Sequence, residues 1–141
     1  MWAKMNKIKT LPFLICLTFL VACQSTQVRS DSTEYPEVRS GKSLLIISVD
    51  KHQEKPLTIL VNDKKASVMT RNDVMFVHLP AGEHRVRNSS VNSFPLDLTL
   101  RKGETAHVIA IYTDRGTYFK LTEGWNEYSF GKDKKKIEIN Y

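Results

Sequence analysis

Cysteine is almost absent: the 141-residue chain has two, Cys16 inside an apolar run and Cys23 at its end. Beyond Cys23 there is no thiol, which excludes disulfides and cysteine-metal centres from the folded part. Glycine is sparse too. Gly41, Gly82, Gly103, Gly116, Gly124 and Gly131 stand singly, so no glycine-rich loop exists to cradle a phosphate. No serine occupies a Gly-x-Ser-x-Gly elbow. No apolar stretch reaches the roughly 20 residues that a membrane-crossing helix needs, and no segment repeats apolar residues at helical spacing. A strong charge excess is also lacking. Of 21 Lys and Arg, three (Lys4, Lys7, Lys9) precede the apolar run, leaving 18 against 15 Asp and Glu. That mild surplus is far from the clustered basic face that nucleic-acid binding requires.

What is present begins with an address. Behind the three lysines, residues 11–21 (LPFLICLTFLV) are uncharged. The run is too short to span a bilayer and has the order of a signal peptide, basic and then apolar. Met5 opens an equally good one. The run closes on Leu20-Val21-Ala22-Cys23, which resembles the bacterial lipobox: an aliphatic residue, a tolerant position, a small residue and a cysteine. The resemblance implies that the Cys23 thiol is alkylated with diacylglycerol, that the Ala22–Cys23 bond is cut, and that the new amine is acylated. Two or three acyl chains, at ~0.8 kcal/mol per buried methylene, make such attachment effectively permanent where one does not. Residue 24 is Gln rather than Asp, which by the sorting pattern of such lipoproteins implies the outer membrane, with the domain facing the periplasm.

Residues 24–41 are polar and without periodicity, and read as a flexible tether. As a random chain it holds the domain about 20–25 Å from the lipid, and stretched it reaches roughly 60 Å. The domain expected over 42–121 is a series of short β-branched and aliphatic runs separated by turn signals every eight to twelve residues. Residues 43–49 (SLLIISV) suit a central strand covered on both faces, whereas 57–62 and 95–100 alternate in the manner of half-buried strands. Runs at 66–69, 74–79, 84–88, 105–112 and 117–121 complete seven or eight strands. The expectation is all-β: a single antiparallel β-sandwich, its strands too short and too polar for a transmembrane barrel. Residues 122–141 form a C-terminal extension, with an edge strand at 137–141.

Three turn motifs stand in this frame: Val61-Asn62-Asp63-Lys64-Lys65, Leu79-Pro80-Ala81-Gly82-Glu83-His84 and Lys102-Gly103-Glu104-Thr105. Together they resemble the PEGA-type domains, and the related uncharacterised domain, of small bacterial envelope lipoproteins, over about residues 42–121. The resemblance implies an immunoglobulin- or transthyretin-like sandwich and no established catalytic activity. Asp63 stands where the hairpin glycine is usual, which leaves the turn type open.

The residues able to carry chemistry are few. His78 and His84 flank one turn. A three-residue loop would pair them as half of a zinc site. A loop over 80–83 pairs Leu79 with His84 and Val77 with Val86, gathers Met75, Val77, Leu79 and Val86 inward, and sends the two histidines to opposite faces. The second register buries more apolar surface and is the one expected, with His78 at the surface and His84 at the core edge. No metal site and no cofactor is expected, and no catalytic residue. Trp125, Tyr128 and Phe130 could bind a partner, although aromatics at such spacing more often pack a tail back over the open end of a sandwich. Lys132, Lys134, Lys135 and Lys136 could meet lipid phosphate but read more simply as a solvated turn. The functional expectation is therefore a non-catalytic binding or accessory module, held to the membrane through lipid on Cys23, whose partners are an envelope protein or cell-wall glycan. A small hydrolase or metal-dependent enzyme is the alternative.

Overall fold

A computed structural model describes residues 28–30, 36–122 and 134–141. Among the described residues there is no helix. The strands are β1 (Val28–Ser30), β2 (Lys42–Val49), β3 (Leu57–Val61), β4 (Lys64–Met69), β5 (Asp73–Pro80), β6 (Gly82–Asn88), β7 (Leu96–Leu100), β8 (Thr105–Thr113), β9 (Gly116–Thr122) and β10 (Lys135–Asn140). They form two sheets, one of six strands in the order β1-β10-β5-β2-β8-β9 and one of four in the order β4-β3-β6-β7. The protein is an all-β sandwich.

Alternation builds the core. Leu45, Ile47 and Val49 of β2, Met75, Val77 and Leu79 of β5, and Ile137 and Ile139 of β10 point from the larger sheet toward Leu57, Ile59, Val61, Val86, Leu98 and Leu100 of the smaller one. Period-two side-chain direction makes every second residue of each strand part of one layer. β2 and β5 are buried on both faces. Their other side chains, Leu44, Ile46, Val74 and Phe76, form a second apolar group on the outer face of the larger sheet, with Val38 packed against it. This fits the continuous apolar run at 43–49.

Three features depart from the expected architecture. The sandwich is not wholly antiparallel, because β2 runs parallel to β8 and β10 runs parallel to β5. A parallel neighbour cannot arrive through a hairpin. Each of these strands therefore reaches its place after the chain has travelled elsewhere, a route that local turn signals do not encode. Strands also exceed seven or eight, because residues 135–140 complete the larger sheet beside β5 and Val28–Ser30, inside the segment read as tether, pairs antiparallel with β10. Finally, β5 and β6 do not form a hairpin. The turn at Pro80-Ala81-Gly82 is a corner between sheets: β5 pairs with β2 and β10, and β6 pairs with β3 and β7. Met75, Val77, Leu79 and Val86 do share one core, but they face one another across the sandwich rather than along one ladder.

The other turns follow local chemistry. Val61 and Lys64 pair across Asn62 and Asp63, which both take positive φ, 51° and 62°. This is the type I′ pattern, and Asp63 adopts the left-handed region without glycine. Gly82 at φ 140° and Gly116 at φ 132° lie where a side chain is strained, and a Cβ on Gly116 would overlap the Asn92 carbonyl. Gly82→Val should therefore lower stability by about 1 kcal/mol or more, and Gly116→Ala by roughly 2–4 kcal/mol, in urea unfolding. Neutral results would show that these backbones relax without cost.

Candidate functional site

Polar side chains gather at three places in the described residues. Two lie on the outer face of the larger sheet, where strands that are otherwise apolar carry an occasional histidine or serine at an outward position.

The first surrounds His78 on β5, whose outward face places it between Leu44 of β2 and Asn140 of β10. His78 is fully buried, not at the surface as expected, because β10 and the outer apolar group enclose this side of β5. Its Nε2 lies 3.0 Å from Glu138 Oε1, and Arg39 Nη2 donates to the same oxygen at 3.0 Å. Lys42 Nζ donates to the Tyr141 carbonyl at 2.6 Å, and Tyr141 N–H donates to the His78 carbonyl. Burial lowers the His78 pKa and outweighs the Glu138 carboxylate, which raises it. The cluster fastens β10 and the start of β2 onto β5. Its one carboxylate holds a ring and a guanidinium rather than a vacant ligand position.

The second is a row across β2, β8 and β9. His107 Nε2 lies 3.3 Å from Ser48 Oγ, and His107 Nδ1 lies 2.7 Å from Thr122 Oγ1. A serine beside a histidine is the beginning of a nucleophilic constellation. Among the described residues the partner behind the ring is Thr122. That partner is a hydroxyl, which does not stabilise an imidazolium as a carboxylate does. Ser48 is 2% exposed. Burial, assisted by the nearby Lys134 charge, pushes the His107 pKa down to about 4. The row therefore keeps a neutral ring at physiological pH and ties three strands together.

The third is an open depression of about 560 Å³ on the smaller sheet, where the Asn62–Asp63 turn meets β6 and β7. Apart from Glu83, its charged side chains are paired: Arg85 grips Asp97 through two bonds of 2.6 and 3.0 Å, and Arg87 Nε reaches Asp63 at 2.7 Å. The bond to Asp97 raises the Arg85 pKa and lowers that of Asp97. Both sit in water, where such a pair adds little stability. At its edge His84 is buried, as expected, and fully bonded: Asn62 Nδ2 donates to its Nδ1 at 3.0 Å, and its Nε2 donates to the Pro80 carbonyl at 2.8 Å. The ring bolts the hairpin turn to the corner between sheets. His78 and His84 thus belong to different sheets, and among the described residues no three of His, Cys, Asp or Glu come together as a metal site would need. His52 is exposed in a turn.

Leu20, Val21, Ala22, Cys23, Trp125, Tyr128 and Phe130 lie outside the described residues. Sequence reasoning missed the Ser48–His107 pair, whose members are 59 positions apart. The available signal was a polar residue at an outward position of a run otherwise buried on both faces. In comparisons with known proteins, no family model, no curated protein and no solved structure matches the chain.

The buried rings predict acid sensitivity. Above pH 6.5 both folded and unfolded His107 are neutral. As the pH falls from 6.5 to 4, the unfolded chain takes up a proton that the folded ring refuses, so stability drops, by at most about 3 kcal/mol at 1.36 kcal/mol per pH unit. The lowered pKa of His78 acts in the same direction. Urea midpoints measured from pH 7.5 to 4 should fall less steeply for His107→Gln than for the native chain. Parallel curves would mean that the ring is not held neutral.

Proposed function

We propose that this chain is a lipid-anchored protein of the bacterial cell envelope, acting as a non-catalytic binding or accessory module that faces the periplasm from the outer membrane. The observation that carries the anchor is Leu20-Val21-Ala22-Cys23, closing a short apolar run behind Lys4, Lys7 and Lys9, with Gln24 after it. What supports the module is how the polar groups are used. His78, His84 and His107, the three buried histidines, each join neighbouring strands or a turn to a corner, and the turn motifs each account for a change of chain direction. The PEGA-like resemblance of 42–121 points the same way, since such domains are carried by envelope lipoproteins.

Ser48 beside His107 favours one second reading, a small hydrolase. In that reading Ser48 would have to come out of burial and His107 would have to act as a base despite a pKa near 4.

Mass spectrometry of the purified N-terminus tests the anchor. The expected species begins at Cys23 with diacylglycerol and an acyl group, and Cys23→Ser abolishes the processing; an unmodified Cys23 in the mature protein refutes it. A fluorophosphonate probe tests the second reading. Ser48 should remain unlabelled, and labelling lost in both Ser48→Ala and His107→Gln would establish the hydrolase instead. In vivo crosslinking from Trp125, Tyr128 and Phe130 should recover one specific envelope protein or glycan, and recovery of neither removes that segment as the partner surface.

A further inference from the structure

β9 is the last strand of the larger sheet, with β8 on one side and no strand on the other. Successive residues of such a strand turn their N–H and C=O alternately toward the neighbour and toward the open side. Thr117 marks which residues face outward. Its N–H donates to the Asn92 carbonyl at 2.9 Å, its carbonyl accepts from Phe94 N–H at 2.8 Å, and Ser93 bridges it in parallel. One residue bonding to both neighbours of the residue opposite is the pattern of a parallel ladder. Residues 92–94 are thus a stub of added strand, which ends at Pro95 where the chain leaves for β7.

Beyond the stub the edge is open. By the same alternation the N–H and C=O of Phe119 and Leu121 point to the open side, and among the described residues nothing bonds them. Soluble proteins blunt a free edge with a bulge, a proline or several charges. In the smaller sheet, edge strand β4 carries Lys64 and Lys65 and lies opposite a register shift at Ile59/Leu60, and edge strand β7 starts behind Pro95. β9 has neither bulge nor proline: its seven residues pair with β8 in unbroken register.

The side chains specify what a further strand would meet. Phe119 belongs to the core, whereas Leu121, on the same face of the strand, is 48% exposed. On the outer face Lys120 stands in water and forms no ion pair among the described residues. An added strand therefore gains by placing an apolar residue beside Leu121 and a carboxylate beside Lys120. A second copy of this chain fits poorly. Two β9 strands related by a two-fold axis run antiparallel, and the register that joins Phe119 of each to Leu121 of the other sets Lys120 directly opposite its copy, like charge against like. Centring the axis on Phe119 instead brings Leu121 against Thr117, whose groups already hold Asn92 and Phe94.

Resting on the reading of the domain as a binding module, we propose that the Phe119–Leu121 edge of β9 receives an extended segment of another protein as an added strand, one whose residues alternate between apolar and acidic.

The test uses the end-blocked peptide Val-Glu-Val-Glu-Val and the purified full chain, read by amide hydrogen exchange in NMR. Without peptide, Phe119 and Leu121 should exchange fast and Tyr118 and Lys120, which bond to β8, slowly. At saturation the peptide should slow Phe119 and Leu121 by at least about tenfold, and Lys120→Glu should weaken its binding about fivefold. Leu121→Pro removes an outward N–H without touching the ladder to β8, so it should abolish protection at Phe119 with the thermal midpoint kept. The same peptide methylated on its amide nitrogens should protect neither residue, which keeps the test decisive if Leu121→Pro fails to fold. Absent protection, equal slowing along β4 or β7, equal slowing by Val-Lys-Val-Lys-Val, or a dimer that protects the two amides without peptide would each overturn the proposal. Labelling of Ser48 by the fluorophosphonate probe would refute the module, while the peptide result still decides the edge.

Discussion

Between Ser43 and Val49 and between Asp73 and Leu79 every residue is buried, so the two central strands of the larger sheet have water on neither face. Apolar surface removed from water is the main stabilising term at about 25 cal/mol per Å², and here it acts twice, once toward the smaller sheet and once outward. Much of the remaining structure answers the second requirement. β10 lies along the free edge of β5, Val38 packs on the outer group, and His78 and Ser48 each bond to a side chain on another strand, while the buried His78 Nδ1 and Asn140 Oδ1 have no hydrogen-bond partner among the described residues. A histidine at an outward position of such a strand must be neutral and bonded, which is the state of both His78 and His107.

The same constraint explains why titratable residues here do structural work. Burying a polar group costs free energy unless it finds a partner, and a partner found on a neighbouring strand fixes register. Ser48, His107 and Thr122 hold β2, β8 and β9 in line; Glu138 holds β10 through His78 and the preceding segment through Arg39. His84 does so between sheets, joining the Asn62 turn to Pro80. Each of these side chains makes at least one hydrogen bond within the fold, although the buried Nδ1 of His78 has none among the described residues.

Its two ends differ accordingly. At one, Arg39 and Lys42 are engaged in bonds to β10 and the residue after it. The other gathers hydrogen-bonded but unburied loops, where Asn88, Ser93 and Thr117 make the backbone rigid while Val91 and Phe94 remain in water.

Local features were legible in the amino-acid order. Period-two alternation located the strands and separated inward Leu57, Ile59 and Val61 from their neighbours; the run SLLIISV announced a strand covered on both sides; Asn-Asp, Pro-Ala-Gly, Lys-Gly-Glu and Asp-Arg-Gly marked changes of direction. These signals act within a few residues, because a turn depends on its own backbone angles and a side chain's facing on its parity. They name no neighbour. Only the tertiary structure decided that β5 and β6 part into different sheets, that β8 and β10 run parallel to their partners, and that Ser48 meets His107. Strand pairing is chosen by the total apolar area that two layers can bury together, a quantity shared among distant segments and carried by none of them singly.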